Sequence, residues 1–206
     1  CAPSYSLVRG AARMLDGNAR IVSLEPRGLQ DILDNILLVG DLTGAQERAA
    51  EVVGRLRRRM DAVAARVAGP RPCVACLEWF APLYVGGHWV PEMVAMAGGV
   101  DVLGVAREPS RMVEWSALCA ARPEALTLIP CGFDIARARA EIHLLSDRPG
   151  WEDLPAVRAG RVYLTDASSY FNRPGPRIID GLEILVGLLH PASAAAPLPA
   201  GAAERL

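Results

Sequence analysis

The chain has 206 residues, 51% of them hydrophobic and only 5% aromatic, enough apolar surface for a substantial core in one or two domains. No apolar run of about 18 residues is free of charge, which argues against a membrane-spanning helix. The charges nearly cancel, 22 basic against 23 acidic, and every basic residue is Arg, so nothing points to a nucleic-acid partner.

The chain opens on Cys1, which suggests either a lipidated N-terminal cysteine or a cut from a longer chain. A helical pattern lies within residues 2–18, and Arg20 to Leu24 reads as a short strand closed by Glu25-Pro26. From Gly28 to Val39, Leu29, Ile32, Leu33, Ile36 and Leu37 recur at helical spacing, and Gly44 ends the pattern. Ala45 to Val67 carries the longest helical pattern, about 35 Å at ~1.5 Å per residue, with Val52, Val53, Leu56, Met60 and Val63 on one face. Its Arg-rich remainder reads as a solvated face, and Gly69-Pro70 stops it.

Cys73 to Leu77 is an apolar run suited to a buried strand. Cys73 and Cys76 form a C-x-x-C inside that strand rather than at a helix mouth, so they read as packing residues. With five cysteines in all, no disulfide framework suggests itself. Helices are expected over Pro91–Ala97, Glu114–Ala121, Ile135–Leu145 and Ile178–Leu189, and strands over Ala125–Ile129 and Arg161–Leu164. The Ala- and Pro-rich end from Ala195 reads as a frayed tail. Alternating strands and helices predict a parallel, doubly wound α/β sheet.

Three loops follow strands of that sheet and should open on one edge: WFAPLYVGGHW, PCGFD and DASSYFNRPGPR. The first carries Trp79, Phe80, Tyr84, His88 and Trp89, flat rings that could face a large planar ligand or fill a core. The third sets Ser169, Tyr170, Phe171, Asn172 and Arg173 beside a helix start, where amides, carboxylates or phosphate are favoured, although Arg177 and the prolines could serve the turn alone. Ser110, in the polar run Arg107 to Arg111, joins the candidate rim.

The motifs GHWVPEM, PGWEDLPAVRAGRVY and SYFNRPGPR resemble those of the vitamin B12 and iron-siderophore solute-binding family. The resemblance implies an α/β fold of Rossmann-like parallel-sheet lobes joined by one long helix, with the first lobe incomplete. Residues 1–44 would be the first-lobe remnant, 45–68 the bridging helix, 69–194 the second lobe and 195–206 a flexible tail. It also implies a corrinoid ligand, a role as substrate-binding component of an ABC uptake system with a membrane permease as partner, a periplasmic or cell-surface location, for which the free cysteines leave the cytoplasm as the alternative, and no catalysis. His88 could offer an imidazole to the cobalt, but a single histidine without carboxylate or thiol neighbours is a weak metal ligand.

An iron-siderophore or other metal chelate is the alternative ligand, because pockets of one fold change by loop substitution. A small α/β enzyme would have to use His88, Glu78 or Cys131, and the chain has neither a phosphate-binding Gly loop nor a nucleophile elbow. A fragment without its own function would instead self-associate through the open first lobe.

Overall fold

A computed structural model of the chain describes residues 21–206 together with Val8 and Gly10. Of the helix expected within residues 2–18 only Val8 and Gly10 are described, both in helix; the rest lies outside the described residues, as does Arg20. Ile21 to Leu24 are not in a strand, in contrast to the expectation.

Two helices come first, α1 (Leu29–Thr43) and α2 (Gln46–Arg66). Gly44 ends α1 in the left-handed conformation. Gly40 has no side chain to keep Ala49 away, so α1 and α2 cross closely. Leu29, Ile32 and Leu33 of α1 are buried with Val53, Leu56 and Val63 of α2, which is the face that the helical spacing of the sequence predicts. The 21 residues of α2 make a rod about 30 Å long.

The sheet begins with β1 (Cys73–Trp79), followed by β2 (Tyr84–Val85), α3 (Val90–Met96), β3 (Val100–Asp101), β4 (Arg111–Met112), α4 (Trp115–Ala121) and β5 (Ala125–Leu128). Two short helices, α5 (Ile135–Ala140) and α6 (His143–Ser146), replace the single helix expected there. The chain breaks at Glu141-Ile142, yet Ala138 and Leu145 on either side both stay buried. Then come α7 (Pro155–Arg158), β6 (Val162–Thr165), α8 (Ala167–Tyr170), α9 (Ile178–Leu189) and β7 (Ala203–Arg205).

The strand order is β4-β2-β1-β5-β6-β7, and β3 pairs with the beginning of β1. β3, β1, β5 and β6 pair parallel, β2 runs antiparallel between β1 and β4, and β7 runs antiparallel to β6, so the sheet is mixed rather than wholly parallel. The end of the chain is not a frayed tail: Ala203, Glu204 and Arg205 pair with Thr165, Leu164 and Tyr163, and Ala202 is fully buried. β7 protects the edge that β6 would otherwise expose.

Each face of the sheet has its own core. On one side α1, α2, α3 and α9 pack around Val74, Cys76, Met93, Val94 and Leu185. On the other, Ala75, Leu77, Leu126, Leu128, Phe133 and Trp151 pack under α4 to α7. Cys73 and Cys76 are three residues apart in one strand and so point to opposite faces. Both are free thiols, and burial pushes Cys76 well above the ordinary thiol range. Among the described residues, no helix is long and apolar enough to cross a membrane.

Candidate functional site

The parallel strands β1, β5 and β6 end on one rim of the sheet, and the loops that leave them are tied together there. Asn172, in the loop after α8, accepts at Oδ1 from the Gly132 backbone N–H at 3.1 Å and donates from Nδ2 to the Ile129 carbonyl at 3.3 Å. The Ser168 N–H reaches the Phe133 carbonyl at 3.1 Å. The loops after β5 and β6 therefore form one surface, as their positions in the chain predict.

The loop after β1 meets the stretch before β4. The His88 N–H donates to the Glu108 carbonyl at 2.6 Å, and the Arg107 N–H donates to the His88 carbonyl at 2.8 Å. A side chain at Gly87 would collide with the backbone of Glu108, Pro109 and Ser110, so only glycine lets these segments lie together. Across this contact the Ser110 hydroxyl donates to the Glu78 carboxylate.

The candidate side chains separate into two groups. Phe80, Trp89 and Phe171 are core residues, only 2%, 9% and 1% exposed. Phe80 lies in the core under α4 to α7. Trp89 and Phe171 lie in the other core, where the indole N–H of Trp89 donates to the Phe171 carbonyl at 2.9 Å. Their expected role as ring surfaces for a ligand is corrected accordingly: all three rings are buried, and the indole has its single polar atom satisfied inside the protein. Tyr170 also packs against that core, and its carbonyl lies over Gly181 of α9. Ser169 sits in α8, with its N–H capped by Asp166 at 3.0 Å.

The second group stays on the rim. Trp79 is half-buried, edge-on to Phe133 at 5.2 Å, with its indole N–H on the Ala81 carbonyl. Tyr84, His88, Ser110 and Asn172 are half-buried and Arg173 is exposed. His88 has a φ of 52°, a left-handed backbone held by its two main-chain bonds, and its ring lies tilted against Trp89 with centroids 5.6 Å apart. Among the described residues no group of three or more His, Cys, Asp or Glu is arranged to hold a metal ion.

Glu78, which the sequence offers only as a catalytic group of a small enzyme, accepts the Ser110 hydroxyl at the end of β1. Leu77 pairs with Val85 and Trp79 with Tyr84, so Glu78 is the extra residue of a bulge at the end of β1. Its charge reaches Cys131 in the next loop: burial first, then Glu78, push the Cys131 thiol up, while Arg173 pulls it down. The sequence signal was a lone acid at the end of an apolar strand. An open groove of about 640 Å³, lined by Asp134, Ile135, Arg139, Asp166 and Glu204, lies beside β7.

Comparison with known proteins gives a consistent picture. Residues 3–169 match the family described as periplasmic binding protein. The vitamin B12-binding protein of Vibrio cholerae is 23% identical over 189 residues, which are 88% of this chain and 63% of that protein. The chain thus spans less than two thirds of the length of this curated relative. A periplasmic heme binding protein from Pseudomonas aeruginosa superposes with a TM-score of 0.72 at 26% identity, covering 97% of this chain and 71% of that one. The periplasmic vitamin B12 binding protein of Vibrio cholerae superposes with a TM-score of 0.69 at 20% identity, covering 92% and 71%.

Proposed function

We propose that this chain, which belongs to the periplasmic binding protein family, binds a corrinoid at the rim formed by the loops after β1, β5 and β6. The family consists of binding proteins rather than enzymes. The observation that carries the reading is half-buried Trp79, which pairs with Tyr84 and stands edge-on to Phe133, next to the loop that Asn172 ties to Gly132 and from which exposed Arg173 follows. The likeness to a vitamin B12-binding protein across 88% of the chain supports the choice of ligand class.

In this reading the rings of Trp79 and Tyr84 lie against the macrocycle, where aromatic faces contribute contact area at low entropic cost. Ser110, Asn172 and Arg173 hydrogen-bond its peripheral amides. Buried Phe80, Trp89 and Phe171, with Tyr170 and Ser169, hold the loops from behind. The expected first-lobe remnant includes α1, which packs with α2 on the core beneath α3 and α9, and a permease takes the delivered ligand.

A haem is the second reading. It draws on the heme binding protein that covers 97% of this chain and on His88, an imidazole at the rim that could ligate iron.

Absorbance and calorimetric titration of the purified chain with cyanocobalamin, cobinamide, haemin and a ferric hydroxamate tests both. Saturable binding of the corrinoids with no response to the hydroxamate is expected. Binding of haemin alone would replace the corrinoid reading with the second one, and no binding of any of the four would overturn both.

A further inference from the structure

The end of β1 combines three features. The bulge sets Glu78 apart from the regular alternation of the strand, and bulges commonly re-aim a side chain beside a binding site. The side chain-free Gly87 brings the Glu108 to Ser110 backbone against the loop after β1, so that the Ser110 hydroxyl can meet the Glu78 carboxylate. One carboxylate oxygen takes that hydroxyl, and the other has no hydrogen-bond partner among the described residues, on a half-buried side chain at the end of β1. Arg173 lies on the adjoining loop, held by the Asn172 bridge to Gly132 and Ile129.

A carboxylate accepts hydrogen bonds and a guanidinium donates them. A primary carboxamide presents both a donor N–H and an acceptor carbonyl, and it satisfies such a pair without bringing charge. A carboxylate substituent satisfies only the arginine and meets a like charge at Glu78, which disfavours it. Resting on the binding reading above, we propose that Glu78 determines specificity at this rim: it accepts N–H groups from the carboxamide fringe of a macrocyclic ligand and rejects rings fringed with carboxylates.

The test uses the purified chain, with cobinamide as the amide-fringed probe and haemin as the carboxylate-fringed one. Both are titrated by absorbance into wild type, Glu78→Gln and Glu152→Gln, each checked for an unchanged circular dichroism spectrum. Wild type is expected to prefer cobinamide. In Glu78→Gln, which keeps the shape and loses the charge, the preference should fall by about tenfold, chiefly through tighter haemin binding. Glu152→Gln removes an exposed carboxylate in the stretch before α7, apart from the loops of the rim, and should keep the preference. An unchanged preference in Glu78→Gln, or its equal loss in Glu152→Gln, would overturn the role of Glu78 while leaving corrinoid binding intact. A wild type that prefers haemin would also overturn it. A wild type that binds neither probe overturns the binding reading and this inference with it.

Discussion

Trp89 shows how one aromatic can be read two ways. Its neighbours Gly87 and His88 lie on the rim, but its indole lies in the core with its N–H bonded to the Phe171 carbonyl. Trp89→Ala should therefore lower stability by about 3–5 kcal/mol, seen as an earlier urea or thermal midpoint. A variant that melts like wild type would return Trp89 to the ligand surface. The sequence revealed a cluster of rings after a strand, but not which rings turn inward: within a short irregular loop there is no period from which to read a facing direction. Tyr84 and Trp79 remained outside because β2 and the bulge carry them to the rim.

Asp101 offers a second test at the same scale. Its Oδ1 accepts from the N–H groups of Leu103 and Gly104, while Oδ2 is buried with no partner among the described residues. Burial pushes its carboxyl above the usual carboxylate range, opposed by those two N–H bonds and by Arg111. The folded protein therefore holds the proton more tightly than the unfolded chain, so this group's contribution to stability is greatest in acid and declines as pH rises from about 3.9 through the raised value. Asp101→Asn should gain about 1 kcal/mol at neutral pH and flatten that decline, measured by urea unfolding between pH 4 and pH 7. A variant less stable than wild type at pH 7 would contradict this account.

Between elements, Arg59 of α2 is the main polar tie to α9. It donates to Glu183 at 3.0 and 2.8 Å and to Asp180 at 2.6 Å, and the Glu183 bond foremost keeps the guanidinium firmly protonated. The three side chains remain about a third exposed, so screening limits the gain. Arg59→Met should cost about 1 kcal/mol, and a double-mutant cycle with Glu183→Gln should recover most of that loss as coupling; additive losses would mean that the pair contributes nothing. Ile178–Leu189 of α9 was legible residue for residue because its apolar positions are many and Leu189 precedes His190-Pro191. β7 was not legible. Three residues are too few for a period of two, and its stability comes from pairing with β6, a long-range contact that composition cannot display.

Across the molecule, one sheet separates two cores, and β1, β5 and β6 contribute to both. Neither core can be lost without exposing the back of the other. Unfolding should be a single transition, with tryptophan fluorescence and far-ultraviolet dichroism coinciding in urea. Trp89 reports from one side and Trp151 from the other, so separated midpoints would show the two faces to be independent. The α/β class was visible from the alternation of elements. The antiparallel additions were not, since β2 and β4 are two residues each and lie within stretches that read as loops.

Arg107 joins three parts of the chain: it bonds Asp31 at the start of α1, approaches Glu92 of α3, and stands three residues before Ser110. Glu92 in turn accepts the Leu29 N–H at 2.7 Å. A shift of the Ser110 loop therefore pulls on the beginning of α1, where exposed Gln30 faces solvent. An environment-sensitive dye attached at Gln30→Cys should change its emission when a ligand closes on the rim, and Arg107→Ala should silence it. The same ion pairs that hold α1 in place would then make the protein an optical sensor for its own cargo.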